Sequence, residues 1–237
     1  MRFDVAVIGA GGAGVMAYLR AVLNHDQAVL FTGDPDTKRK GRATWVYDVD
    51  NIPGMHGMKH PIRTSGTATM KWIASQEKLK DRGTVLNHRV HKLEKADGEF
   101  ILSYDVKGEV QTVAASYVIL ATGVMDVQPE IQGSIKSVFP FANRGDLLYC
   151  VRCDGHRTIG HRLAVIGHRD TAVFIAIMMK ERYDHEEIRV LTNGQTAAFS
   201  PEVRKRAEEH RIEILESPIQ EILGDKKTGL TGFRLQD

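Results

Sequence analysis

Tyr149-Cys150-Val151-Arg152-Cys153-Asp154-Gly155 holds the only two cysteines of the chain, two residues apart and followed at once by an acid and a glycine. A Cys-x-x-Cys at the start of a helix can close into a small disulfide ring. The helix N-terminus and Arg152 both favour thiolate over thiol when the ring is open. Such a pair suits repeated oxidation and reduction, and Asp154 could shuttle the proton that each cycle requires. Cys150, Cys153 and Asp154 are therefore the candidate catalytic residues. Two other readings of the same residues stay open. Cys150, Cys153, His156 and His161 also read as Cys-x2-Cys-x2-His-x4-His, four ligand types that zinc accepts, and a buried, inert pair would need no chemistry. No residue is assigned to a metal.

Two nucleotide-binding signals flank the pair. Val5-Ala6-Val7-Ile8 is an apolar run typical of a buried parallel strand, and it leads into Gly9-Ala10-Gly11-Gly12-Ala13-Gly14. This is G-x-G-x-x-G between a strand and a helix: Gly9 for the tight turn, Gly11 for the approach of a pyrophosphate, Gly14 for close helix packing. With Gly12 and Ala13 these residues form the phosphate end of a candidate dinucleotide site, at the positive end of a helix expected from about Ala13 to Asn24. The next strand, Ala28 to Phe31, ends in Thr32-Gly33-Asp34, where Asp34 is the nearby acid available for a ribose hydroxyl. The basic loop Lys38-Arg39-Lys40-Gly41-Arg42 reads as a solvated turn, with phosphate or an acidic partner as the alternative.

The second signal, Leu163-Ala164-Val165-Ile166-Gly167, opens another strand-to-helix unit with a helix from about Thr171 to Glu181 and a strand at Ile188 to Leu191. Its fingerprint is damaged, because His168 and Arg169 stand where glycines would admit a pyrophosphate. Thr192-Asn193-Gly194-Gln195 then offer neither a carboxylate for a ribose diol nor an arginine cluster for a 2′-phosphate.

The elements that must hold these residues follow from pattern. An amphipathic helix is expected from about Thr64 to Arg82, with Met70, Ile73 and Leu79 facing inward. Between Val85 and Val118 short strands alternate with Asp97-Gly98 and Lys107-Gly108 turns, a β-meander set in an otherwise α/β unit. Tyr117 to Gly123 reads as a return to a buried strand that ends at the small-residue turn Ala121-Thr122-Gly123. The fold class is α/β, with two Rossmann-like, three-layer nucleotide-binding domains, the second inserted in the first: residues 1–123, then 124–237.

The 237 residues are enough for two modest cores. Hydrophobic content of 42% with 26% charge is that of a globular chain rather than a disordered or fibrous one, and a formal charge of +2 points to no nucleic-acid partner. Two cysteines do not make a disulfide-stapled secreted scaffold. No apolar run approaches the ~18 residues of a membrane span, so no membrane partner is expected and the reading is a cytoplasmic protein.

Together, Gly9 to Gly14, Leu30 to Gly33, Asn51-Ile52-Pro53-Gly54, Ala121-Thr122-Gly123, Tyr149 to Gly155, Ala164 to Gly167 and Leu230 to Leu235 occur in the order and approximate spacing of the low-molecular-weight thioredoxin reductases, which the whole chain resembles. The resemblance implies an FAD domain interrupted by a smaller domain that carries the disulfide and normally binds NADPH. It adds Asn51, Ala121, Thr122 and Gly123 to the candidate FAD contacts made by Gly9, Gly11, Gly12, Ala13, Gly14, Thr32, Gly33 and Asp34. It implies that Cys153 faces the flavin, Cys150 attacks a thioredoxin-like disulfide, Asp154 handles the proton, and the protein is a homodimer. The chain departs from the family in two places. The glycine turn and the His-Arg-Arg cluster for NADPH are absent, which points to a reduced ferredoxin or another low-potential carrier as donor. The closing Gly-x-x-x-Ala-Gly-Asp segment of the FAD fold does not occur, as expected of a truncated chain. An ordinary NADPH-dependent thioredoxin reductase and a non-catalytic, zinc-stapled or nucleotide-sensing module are the alternatives.

Overall fold

A computed structural model describes residues 1–36, 41–44, 46 and 48–236. The chain divides into two compact units, Met1–Thr44 with Lys59–Met125, and Trp45–Met58 with Asp126–Asp237. Lys38, Arg39 and Lys40 of the basic loop lie outside the described residues.

The first unit is built on one six-stranded sheet. Strand β1 (Arg2–Ile8) runs parallel to β2 (Ala28–Phe31) on one side and to β6 (Glu109–Leu120) on the other; β3 (Gly83–Leu86) extends the parallel part beyond β2. β4 (Val90–Ala96) and β5 (Glu99–Val106) add antiparallel to β6, giving the order β3-β2-β1-β6-β5-β4. Helices α1 (Gly12–Leu23) and α2 (Pro61–Ser75) cover one face, where Tyr18, Ala21, Val22 and Ile73 pack on Val7, Ala28 and Leu30. The other face buries Phe3, Ala6, Val29 and Phe31 against Leu102, Tyr104, Val113 and Ala115 of the antiparallel strands. Period-2 alternation thus feeds two cores from one sheet.

Two expectations are corrected here. The helix begins at Pro61 and stops at Ser75, with a separate 3-10 turn at Lys80–Arg82. Proline at the first helical position has its φ preset and needs no N–H partner, while Gln76 is extended and ends the helix. The second correction concerns β6, a single strand rather than a meander strand followed by a buried one. Its first half, Glu109 to Ala115, pairs with β5 and its second half, Ala114 to Leu120, with β1, and Tyr117 and Leu120 are 70% and 66% exposed.

The second unit repeats the strand-helix-strand pattern. β7 (Leu163–Ile166), β8 (Ile188–Leu191) and β9 (Glu213–Leu215) form a parallel sheet. Helices α5 (Asp170–Tyr183) and α6 (Pro201–Glu209) bury Val173, Ala176, Ile177, Val203 and Ala207 against Ile188 and Val190. The hairpin of β10 (Ile219–Asp225) and β11 (Gly229–Leu235) contributes Ile219 and Phe233 to a second cluster with Leu191 and Ile166. The short helices α3 (Phe139–Arg144) and α4 (Val151–Asp154) precede β7. Both units are therefore Rossmann-like α/β folds, and among the described residues no helix is long and apolar enough to cross a membrane.

Candidate active site

In the first unit, β1 runs into a turn that only glycine can make. Gly9 has φ +109°, and a Cβ there would overlap the carbonyl of Ala121; a Cβ on Gly14 would overlap the carbonyl of Gly9. The two glycines and the strand end at Ala121 are packed backbone to backbone, with Ala121 N–H donating to Ile8 O at 2.9 Å. Gly11 differs. It is extended (φ −74°, ψ −176°), it caps α1 without a side-chain hydrogen bond, and a Cβ on it would meet nothing within 4 Å. The first turn of α1, which includes Gly12, Ala13 and Gly14, holds no acid. The helix end therefore presents unopposed N–H donors to the space over Gly11, which suits a pyrophosphate.

That space is a cleft of about 590 Å³ lined by Ala10, Gly11, Leu30, Thr32, Met70 and Val85, with Arg63 and Lys71 of α2 as cations. Its size is that of a small-molecule site. The Thr32 hydroxyl donates to Asn87 Oδ1 at 2.8 Å. Neither α2 cation nor Asn87 was singled out from sequence, since their cue is a helix face and a strand end far along the chain. Asp34 is exposed and is not among the lining residues; its Oδ1 accepts from Asp36 N–H at 2.9 Å, and Gly33 before it has φ +90°. Thr122 and Gly123 follow the end of β6, and Asn51 belongs to the second unit.

In the second unit, Cys150 and Cys153 form a disulfide, with Cα atoms 5.3 Å apart. Cys150 caps α4, and its carbonyl accepts from Cys153 N–H and Asp154 N–H, each at 3.0 Å. α4 is one turn long and passes into a 3-10 turn at Gly155–Thr158, so the dipole expected to favour the thiolate is that of a single turn, and Arg152 is exposed. In the disulfide form neither sulfur offers a thiolate to a metal, and among the described residues no three His, Cys, Asp or Glu converge as metal ligands. His156 instead faces Asp50 Oδ2 at 2.9 Å, and the His161 carbonyl faces His185 Nδ1 at 3.0 Å.

Asp154 is 5% exposed, and its Oδ1 is buried without a hydrogen-bond partner. Burial, the largest effect, raises its carboxyl above the ordinary range; the Arg157 charge opposes this, and Asp48 and Asp50 add to it. Tyr149 donates to Gln128 Oε1 at 2.6 Å, and burial pushes its phenol up to about 12. Gly155 is held to the ring of Tyr183, which a Cβ would meet at 2.9 Å.

The second fingerprint is hydrogen-bonded to the segment before α6. The His168 carbonyl accepts from Ala198 N–H at 2.7 Å, and Arg169 and Ala198 form a parallel bridge. Asp170 opens α5, and its Oδ1 accepts from Ser200 N–H at 2.8 Å. Asn193 is likewise engaged, donating to Glu130 O at 2.8 Å and accepting from Ile219 N–H at 2.9 Å.

Comparison with known proteins agrees with this architecture. The chain is 26% identical over 236 residues to a thioredoxin reductase of Coxiella burnetii, covering 98% of this chain and 68% of that one. It is 29% identical over 188 residues to a ferredoxin–NADP reductase of Oenococcus oeni, covering 78% and 49%. The solved thioredoxin reductase of Giardia duodenalis has the same fold, with a TM-score of 0.70 at 22% identity over 95% of this chain and 68% of that one. Residues 3–236 match a single family along almost their whole length, and by that match the chain belongs to the pyridine nucleotide-disulphide oxidoreductases.

Proposed function

We propose that the chain is an FAD-dependent dithiol/disulfide oxidoreductase that passes electrons through a flavin and the Cys150–Cys153 pair to a thioredoxin-like protein disulfide, with a donor other than NADPH. Bound FAD would supply reversible two-electron chemistry. The chain's own part is to hold the dinucleotide at Gly11 and the N-terminus of α1, to present the disulfide on α4, and to keep a carboxyl, Asp154, beside the second sulfur. Thr32, Arg63 and Lys71 would line the rest of the dinucleotide cleft.

The observation that carries the reading of the donor is the contrast between the two helix N-termini. α1 has no acid in its first turn and open space over its cap. α5 begins with Asp170, and the chain at Ala198 to Ser200 is hydrogen-bonded across its entry. A pyrophosphate approaching α5 would meet a carboxylate and displace backbone bonds, each costing roughly 0.5–1.5 kcal/mol net. The Oenococcus oeni relative is named for both ferredoxin and NADP, so it brings a ferredoxin into consideration as donor beside NADPH. Anaerobic titration of the FAD-loaded protein decides the point: dithionite should reduce the flavin fully while NADPH and NADH reduce it slowly or not at all. Rapid bleaching by micromolar NADPH would return the protein to the ordinary NADPH-dependent reading.

A further inference from the structure

His156 and Arg157, just after the Cys-x-x-Cys-Asp-Gly turn, both reach one short segment of the same unit. Arg157 donates from Nε and Nη2 to Asp50 Oδ2 at 3.0 and 2.8 Å and pairs through Nη1 with Asp48. His156 Nε2 lies 2.9 Å from the same Asp50 oxygen. Asp154 lines a small recess together with Asp48, Tyr149 and Arg157, yet its buried Oδ1 has no partner. A buried carboxylate beside a guanidinium ordinarily pairs with it, because the charge-assisted bonds offset desolvation. Here the guanidinium fork is filled by two other carboxylates. The carboxyl left over is the one next to Cys153.

We propose that Arg157, held by Asp48 and Asp50, is a positioning residue whose capture leaves Asp154 as the neutral acid of the Cys150–Cys153 pair. This rests on the redox reading of that pair given above. Two electrons, from a reduced flavin in the cycle or from dithiothreitol in an assay, break the Cys150–Cys153 bond and leave two thiolates. Asp154 gives its proton to one of them, producing a thiol and an Asp154 carboxylate; solvent protonates the other according to pH. Reoxidation by a partner disulfide reforms the bond, releases the partner as its two reduced sulfurs, and returns the thiol proton to Asp154. The charged groups around Asp154 are Arg157, Asp48, Asp50 and His156. Burial and the two aspartates act to keep its proton, and only the cations oppose them.

The test follows the carboxylic-acid C=O stretch of Asp154 by infrared spectroscopy of the intact, oxidised chain against pH, identified as the band lost in Asp154→Asn. Asp50→Asn, and the double variant Asp48→Asn with Asp50→Asn, free Arg157 to pair with Asp154 and should lower the midpoint by about one to three pH units. Arg157→Met should raise it. Loosening of the fold does not move one band in opposite directions, and circular dichroism reports the folding of each variant. If Arg157→Met fails to fold, the aspartate variants decide alone.

A second arm measures the midpoint potential of the disulfide against pH with dithiothreitol. Over the pH range where Asp154 is protonated in the oxidised form and ionised in the reduced form, with both sulfurs as thiols, reduction should take up one net proton, a tenfold change in equilibrium constant or ~30 mV per pH unit. Asp154→Asn should take up two. Infrared midpoints that stay together in a pair that is reduced normally overturn this proposal. Midpoints that move as expected in a pair that resists reduction overturn the redox reading instead.

Discussion

Replacing Gly11 with valine separates the needs of the fold from those of a bound dinucleotide. The Gly11 backbone is extended, a region that β-branched residues favour, and an added Cβ has no neighbour within 4 Å. The variant should therefore fold as well as the parent, with a gain of ~0.4–1 kcal/mol from the stiffer unfolded chain. A pyrophosphate at the N-terminus of α1 must occupy the space that the valine takes. Losing two charge-assisted hydrogen bonds at about 1.5–3 kcal/mol each removes roughly 3–6 kcal/mol, and FAD affinity should fall by about a hundredfold to ten-thousandfold. Calorimetric titration of the apoprotein with FAD, beside a thermal melt, reads both quantities. Gly14→Ala is the control with the opposite signature, because its Cβ collides with the Gly9 carbonyl. Overpacking of that kind costs about 1–3 kcal/mol, and each kcal/mol lowers Tm by about 2–4 °C in a chain of this size. FAD affinity of Gly11→Val within roughly threefold of the parent, about 0.6 kcal/mol, would refute the placement of the pyrophosphate.

Cys153→Ser should trap a thioredoxin-like substrate as a mixed disulfide through Cys150, visible on a non-reducing gel, and Cys150→Ser should not; the reverse pattern would exchange the two roles. Asp154 has a raised carboxyl in the folded chain, so the native state binds its proton more tightly than the unfolded state, and stability from this group is present at low pH and lost as pH rises above the ordinary carboxylate range. Asp154→Asn should flatten that loss in denaturant titrations across pH, and an unchanged slope would mean the carboxyl is not held as described. Thr158 is buried and its hydroxyl bridges Gly155 O at 2.7 Å and His185 Nε2 at 2.8 Å; Thr158→Val should cost ~1–3 kcal/mol for the polar groups left unpaired, read as a lowered Tm, and no shift would show that water replaces the hydroxyl.

Much of the α/β framework was legible because its signals are local. The glycines after Ile8 and the run at Ala28 to Phe31 place α1 and β2 almost to the residue, Val5 to Ile8 gives the last four residues of β1, which begins at Arg2, and Leu163 to Ile166 with Ile188 to Leu191 place β7 and β8. α2 was displaced because apolar spacing outweighed Pro61, whose preset φ marks the first helical turn. β6 was divided because its two halves have different characters, and only the β1 and β5 ladders, formed with residues far away in the chain, make it one strand. Asp34 stands at the expected distance from the fingerprint, and its Oδ1 also caps the next turn by accepting from Asp36 N–H.

By itself the sequence determined the residue types that carry chemistry: two cysteines at disulfide spacing with an acid behind them, one intact glycine fingerprint and one damaged one. These are short-range properties, set by the reach of a turn and the absence of a Cβ. Tertiary structure alone decided what those residues face. Asp48 and Asp50 stand more than a hundred positions before Arg157 and hold its guanidinium, while Asp154 Oδ1 is buried without a hydrogen-bond partner. Ala198 and Ser200 reach back some thirty residues to hydrogen-bond His168 and Asp170 at the start of α5, while a Cβ on Gly11 at the start of α1 would meet nothing within 4 Å. The energy of a buried charge or an N–H donor depends on what lies within a few ångströms of it, and chain folding brings those neighbours from distances that no local pattern records.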